Sequence, residues 1–203
     1  MIDRSRLRSI LSEAGRIALD MWPGAGRQVN SWHKSPGNPV CDADVAVDAF
    51  LKRELGALLP AAGWLSEETV DHPARLEGDL VWLVDPIDGT RDFLRGRSGW
   101  AVSVALVEDG AVTVGVLAAP AQGRLYAASA GQGATLNGRR LAVSGLTSLD
   151  GVRLPIDAAN MAASFWPSPW PGTAVAKPNS LALRMAMLAA DEADAWAEGR
   201  SIA

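Results

Sequence analysis

The sequence predicts a layered α+β fold, in which an N-terminal pair of helices packs on a mainly antiparallel sheet and a smaller α/β region begins near residue 140. Three observations carry this. Apolar residues recur at helical spacing in the first 21 positions and again in 42–59; short apolar runs bounded by turn residues replace that spacing from residue 63; after 140, a Pro- and Trp-rich loop separates a short strand from another helical stretch. The corresponding division is an N-terminal α+β domain over 1–139 and a C-terminal α/β domain over 140–203.

In the first helix Leu7, Ile10, Leu11, Ala14, Ile17, Ala18 and Met21 line one face, and Pro23-Gly24 stops it. Residues 23–40 hold Gly24, Gly26, Pro36, Gly37 and Pro39, the composition of a mobile loop or short hairpin. The second helix places Val47, Phe50, Leu51, Glu54, Leu55 and Leu58 at helical spacing and ends at Pro60 and Gly63. Buried strands are expected at 63–66 and 80–84, followed by an antiparallel meander through 100–107, 112–118, 124–127 and 134–136. A strand at 152–154, the loop at 165–172, a helix at 180–190 and an apolar stretch at 193–197 complete the chain.

With 203 residues, 48% hydrophobic and 21% charged, the chain can bury roughly 70% of its unfolded surface and needs no disulfide or structural metal to fold. Cys41 is the single cysteine and His33 and His72 the two histidines, which excludes an intrachain disulfide, a CxxC redox pair and a typical zinc centre. Any metal must sit on oxygen. The net charge of −4 comes without a basic cluster, which argues against nucleic acid as a partner. No continuous apolar segment opens the chain, and the apolar run 101–119 is broken at Glu108-Asp109-Gly110, so neither a targeting nor a membrane segment is read and the expected location is the cytoplasm.

The segment Asp85-Pro86-Ile87-Asp88-Gly89-Thr90 holds the most chemistry. A strand delivers Asp85 at its end, Pro86 imposes an extended turn, and Gly89 permits tight backbone geometry before a helix or turn near Thr90. Asp85 and Asp88, with the Ile87 carbonyl between them, can converge on hard cations, while the amides of Gly89 and Thr90 suit a phosphate. Glu67 and Glu68 follow the preceding strand, and adjacent acids repel unless water or a cation intervenes. Asp42, Asp44 and Asp48 lie in the first turns of the second helix, where the helix dipole favours acids without any function, although a first-turn side chain can reach the loop. Taken singly, Asp85 is equally a turn residue, Asp88 an N-cap and the glutamates a solvated edge.

Together, Trp64-Leu65-Ser66-Glu67-Glu68-Thr69 and Trp82-Leu83-Val84-Asp85-Pro86-Ile87-Asp88-Gly89-Thr90 resemble the first two metal motifs of the inositol monophosphatase superfamily of magnesium-dependent, lithium-sensitive phosphatases. Lys34 and Asp44 upstream, and Asn179-Ser180-Leu181-Ala182-Leu183 with Ala193-Asp194-Ala195-Trp196 downstream, extend the resemblance over most of the chain. It implies an α/β/α/β sandwich of the inositol monophosphatase and fructose-1,6-bisphosphatase type. It also implies Mg²⁺-dependent hydrolysis of a small phosphorylated metabolite, inositol-1-phosphate-like, by a metal-activated water. By that resemblance Glu67, Asp85 and the Ile87 carbonyl form the first metal site, with Glu67 counted also as catalytic, and Asp85 bridges to a second site with Asp88. Glu68 is an accessory group; Gly89, Thr90 and Lys34 hold the phosphate; the Thr90 hydroxyl, paired with Asp44, orients the attacking water; and Glu198 meets substrate hydroxyls. A homodimer is the implied assembly.

The chain departs from the pattern in two places. Ser66 stands where a glycine is common. The family's third motif, a Trp-Asp pair opening a helix after the Ala-Asp-Ala strand, is missing, because the sequence given stops at 198–203 where that motif should start. The expectation is therefore an incomplete C-terminal domain and second metal site, one divalent ion bound more readily than two, and weak or no activity. Three other readings compete. A haloacid-dehalogenase-type phosphatase needs its aspartates at i and i+2, whereas Asp85 and Asp88 stand at i and i+3. A 3′(2′),5′-bisphosphate nucleotidase of the same superfamily is suggested by Asp92, two positions after Thr90. A non-catalytic binding or oligomerisation module follows if the missing motif is decisive. The remaining features read plainly: His33 and His72 as solvated, Cys41 as a partly buried apolar residue, Trp166 and Trp170 as flanking a pocket or subunit contact, and Arg91, Arg95 and Arg97 as attracting an anion or aiding solubility.

Overall fold

A computed structural model describes residues 2–76, 78–162 and 167–197. Helix α1 (Arg4–Met21) opens on Asp3, whose carboxylate accepts the Arg6 amide at 2.9 Å, and buries Leu7, Ile10, Leu11, Ala14 and Ala18. Strands β1 (Ser31–Ser35) and β2 (Asn38–Cys41) form an antiparallel hairpin. Helix α2 (Asp42–Leu58) leaves β2 without a loop and buries Ala43, Val47, Leu51 and Leu55 together with two carboxylates, Asp44 and Asp48. Acids one turn apart on a buried face are unfavourable unless other groups bond them.

The sheet begins with β3 (Gly63–Ser66) beside β4 (Leu80–Asp88), the only parallel pair in it. A short helix, α3 (Thr90–Leu94), leads to β5 (Ala101–Glu108), β6 (Ala111–Ala119), β7 (Arg124–Ser129), β8 (Gly133–Leu136) and β9 (Arg139–Arg140), all antiparallel and in chain order. Strand alternation divides the faces. Trp82 and Val84 on β4, Val102, Val104 and Leu106 on β5, and Val114, Val116 and Ala118 on β6 meet α1 and α2 in the main core. Each fully buried side chain of this size contributes about 1.5–3 kcal/mol. Beyond the sheet, β10 (Val152–Leu154) and β11 (Gly172–Ala174) pair in parallel around Val152, Leu154 and Ile156. Helix α4 (Leu181–Ala189) lays Leu183 on the opposite sheet face, against Ala101, Leu117, Ala119 and Tyr126. The result is a layered α+β sandwich with a central mixed sheet. No helix among the described residues is long and apolar enough to cross a membrane.

Two local expectations are corrected. β4 does not end at Asp85: pairing with β5 lapses between Asp85 and Asp88 and resumes at Asp88 opposite Ala101, because Pro86 has no N–H to give and a bulge absorbs it. Residues 193–195 form no strand. They lie against β10 through the Asp194 amide on the Arg153 carbonyl at 2.9 Å, and Arg153 chelates the Asp194 carboxylate at 2.7 and 2.9 Å. Trp170 packs on the β10–β11 core. Trp166 and Glu198 lie outside the described residues.

Candidate metal and phosphate site

Because β3 and β4 are parallel, their C-terminal ends open on the same edge. Ser66 pairs with Val84 and the Glu67 amide bonds the Val84 carbonyl at 3.2 Å, which sets Glu67 beside Asp85. The two carboxylates border a cleft of about 440 Å³ whose floor is Leu65, Leu83, Ser103 and Ala105, on the sheet face away from α1 and α2. The bulge then carries the chain past Ile87 to Asp88 and Gly89. Gly89 has φ +95°, and a Cβ there would stand 2.8 Å from the Gly99 carbonyl and the Ser180 amide, so only glycine lets the chain turn into α3. Gly89 and Thr90 open that helix, where the first amides have no intrahelical partner.

Helix α2 reaches this edge from below. Asp44 is 1% exposed and its Oδ2 accepts both the Cys41 amide and the Cys41 thiol at 2.9 Å. Its other oxygen lies 3.5 Å from the Thr90 hydroxyl, which donates at 3.0 Å to the Ile87 carbonyl. Lys34, from the β1–β2 hairpin, places its ammonium 2.6 Å from Glu68 and 3.0 Å from the Glu67 carbonyl. Arg91 ties the tip of the same hairpin to α3 through the Gly37 carbonyl at 2.6 Å.

The electrostatics follow from crowding five carboxylates at one edge. Burial, then the charges of Asp88, Glu67, Asp44 and Glu68, push Asp85 up to about 9. Burial also raises Glu68 despite its Lys34 partner, and raises Asp44 against the opposing pull of Cys41. Burial and the facing Asp44 push the Cys41 thiol up to about 12. Among the described residues the Glu67 and Asp85 carboxylates accept no hydrogen bond, whereas those of Asp44, Asp48, Glu68 and Asp88 all have donors. A mostly buried carboxylate surrounded by like charge and without a donor is the environment a hard cation relieves. No three His, Cys, Asp or Glu side chains among the described residues share one point, but the donors are of the right kind: two carboxylates without a hydrogen-bond donor and a carbonyl.

Thus Lys34, Asp44, Glu67, Glu68, Asp85, Ile87, Asp88, Gly89 and Thr90 gather at one edge of the sheet. Two residues behave otherwise than expected. Asp88 is turned to the start of α4: its oxygens accept the Ser180 hydroxyl at 2.6 Å and the Leu181 and Ala182 amides at 3.1 and 2.8 Å. Asp92 is 7% exposed and accepts the Asn179 amide at 2.9 Å, so it braces the backbone and does not face the site. Sequence reasoning missed the roles of Asp48, Ser66, Thr69 and Ser180, whose hydroxyl–carboxylate bonds span 18 to 92 positions. The one available signal was Asp48 itself, an acid on the face where α2 is apolar.

The chain is 36% identical over 137 residues to a histidinol-phosphatase of Chlorobaculum parvum, covering 68% of this chain and 51% of that protein. It is 40% identical over 119 residues to an inositol-1-monophosphatase of Mesorhizobium japonicum, covering 57% and 43%. The chain thus spans about half the length of the curated relatives it matches. Among solved structures, the extragenic suppressor protein suhB of Bartonella henselae superposes with a TM-score of 0.82 at 25% identity, over 95% of this chain and 76% of that one. An IMPase of Thermotoga maritima gives 0.78 at 26%, over 92% and 72%. The model of the inositol monophosphatase family matches residues 5–203, and the chain belongs to that family.

Proposed function

We propose that the chain carries the metal- and phosphate-binding half of a Mg²⁺-dependent phosphomonoesterase acting on a small phosphorylated metabolite, inositol-1-phosphate-like. The observation that carries the reading is Asp85: mostly buried, without a donor among the described residues and facing four other carboxylates, beside the helix start at Gly89-Thr90. Glu67, Asp85 and the Ile87 carbonyl would hold one Mg²⁺, with Asp88 the candidate ligand for a second, and the metal would supply charge neutralisation and an acidified water. The protein's own groups do the rest. The Gly89 and Thr90 amides and the Lys34 ammonium meet phosphate oxygens; Asp44 and the Thr90 hydroxyl orient a water; Glu68 anchors Lys34.

Relatives named histidinol-phosphatase and inositol-1-monophosphatase support the reaction class and leave two ester types in contention. Asp92, the residue that suggested a bisphosphate nucleotide, is committed to the Asn179 amide, which weighs against that branch. A non-catalytic reading draws on Asp88, whose oxygens already serve α4. Initial rates with Mg²⁺ on inositol 1-phosphate, histidinol phosphate, fructose 1,6-bisphosphate and 3′-phosphoadenosine 5′-phosphate decide. The first is expected to be the best substrate, and activity on none, with wild-type fold, favours the non-catalytic module.

A further inference from the structure

We propose that Asp48 is a positioning residue for the Glu67-Glu68 turn, one buried carboxylate that fixes both ends of the segment bearing the metal-binding glutamates. This rests on the metal-dependent reading above and extends it to groups that touch neither ion nor substrate. Asp48 is 8% exposed on α2, one turn beyond Asp44. One of its oxygens takes the hydroxyl of Ser66, directly before Glu67, and the other takes the hydroxyl of Thr69, directly after Glu68, at 2.6 Å.

The proton directions close on themselves. Each hydroxyl gives its single hydrogen to Asp48 and is left as an acceptor. The Ser66 oxygen receives the Glu68 amide at 3.2 Å, and the Thr69 oxygen receives the Trp64 indole N–H at 3.3 Å. The turn is therefore pinned at residues 64, 66, 68 and 69, while its Glu67 carboxylate has no hydrogen-bond partner among the described residues. Ser66 thereby acquires a purpose that a glycine at this position would lack. Asp44 and Asp48, four residues apart on one helix face, address the β4 turn and the β3 turn respectively. The rigid rise of α2 thus sets the spacing between the two loops that must share a cation.

Orienting groups of this kind are worth about 10- to 100-fold in metal affinity. The experiment measures the dissociation constant of Mg²⁺ and Mn²⁺ by calorimetry, and the melting temperature without metal, for the wild type, Asp48→Asn, Ser66→Ala, Thr69→Val and Thr69→Ser. Asp48→Asn and Thr69→Val are expected to weaken metal binding about 10- to 100-fold, with Ser66→Ala in the same direction, and Thr69→Ser, which keeps the hydroxyl, to bind as the wild type does. If Asp48→Asn does not fold, the Thr69 pair decides alone. A lowered melting temperature with unchanged metal affinity in Asp48→Asn and Thr69→Val would show a purely structural bond and overturn the proposal, as would Thr69→Ser behaving like Thr69→Val. A wild type that binds no divalent ion would instead overturn the metal-dependent reading itself.

Discussion

Metal binding to this protein should release a proton, because the central ligand is protonated before the metal arrives. Burial and four neighbouring carboxylates hold Asp85 near 9, so at pH 7 the metal-free site keeps a hydrogen on it. An incoming ion must expel that hydrogen, at a cost of a few kcal/mol (about 1.4 per pH unit below the Asp85 value) at pH 7 that vanishes near pH 9. The apparent Mg²⁺ dissociation constant should therefore tighten about tenfold per pH unit from about pH 6 to pH 8. Calorimetric titration in two buffers of different ionisation enthalpy counts the protons, with about one per bound ion expected at pH 7. Asp85→Asn should abolish both the release and most of the affinity. The same shift has a stability consequence of definite sign. The folded state holds an extra proton between the unfolded carboxylate value, about 4, and about 9, so the metal-free protein loses stability as pH rises through that window and Mg²⁺ restores it. An affinity that is flat from about pH 6 to pH 8, with no proton released, would refute the electrostatic account of the site.

Three further outcomes are expected. Gly89→Ala forces a Cβ into the Gly99 carbonyl and the Ser180 amide at positive φ, and should lower unfolding free energy by at least about 1–3 kcal/mol; an unchanged urea midpoint would show that the turn can relax. Arg153 holds the Asp194 carboxyl well below the usual carboxylate range, so the pair stabilises the fold above the unfolded value near 4 and loses that contribution as pH falls; the melting temperature of Arg153→Met should lie below wild type at neutral pH and converge with it in acid. Cys41, fully buried with its thiol pushed up to about 12, should resist a disulfide reagent such as DTNB at pH 8 in the native state and react at once in denaturant, whereas rapid native labelling would contradict its packing against Asp44.

Much of the site was legible because its groups are local. The Asp85-Pro86-Ile87-Asp88-Gly89-Thr90 run carries its turn, its carbonyl and two of its acids within six residues, and Glu67-Glu68 announces itself by adjacent like charge. The illegible part is what each acid bonds. Asp42, Asp44 and Asp48 look alike in sequence, three acids in the first turns of one helix, yet Asp42 takes the Asn30 amide at the surface, Asp44 is capped by Cys41 beside Thr90, and Asp48 holds Ser66 and Thr69. Nor could Asp88 be told from a free ligand, since its donors arrive from the start of α4, more than 90 positions away.

The sequence by itself determined the elements of this protein. Periodicity of 3.6 or 2 and the Gly and Pro punctuation are properties of neighbouring residues, and they yielded α1, α2, the meander and α4 with small boundary errors. Tertiary structure alone decided which strand ends face one another. The parallel pairing of β3 with β4 sets Glu67 beside Asp85, the register of α2 turns two of its acids inward, and the docking of α4 engages Asp88. Those are choices among long-range contacts, and they settle the shared desolvation and charge that push Asp85 up. A chemical environment made by distant residues exists only once the chain has folded.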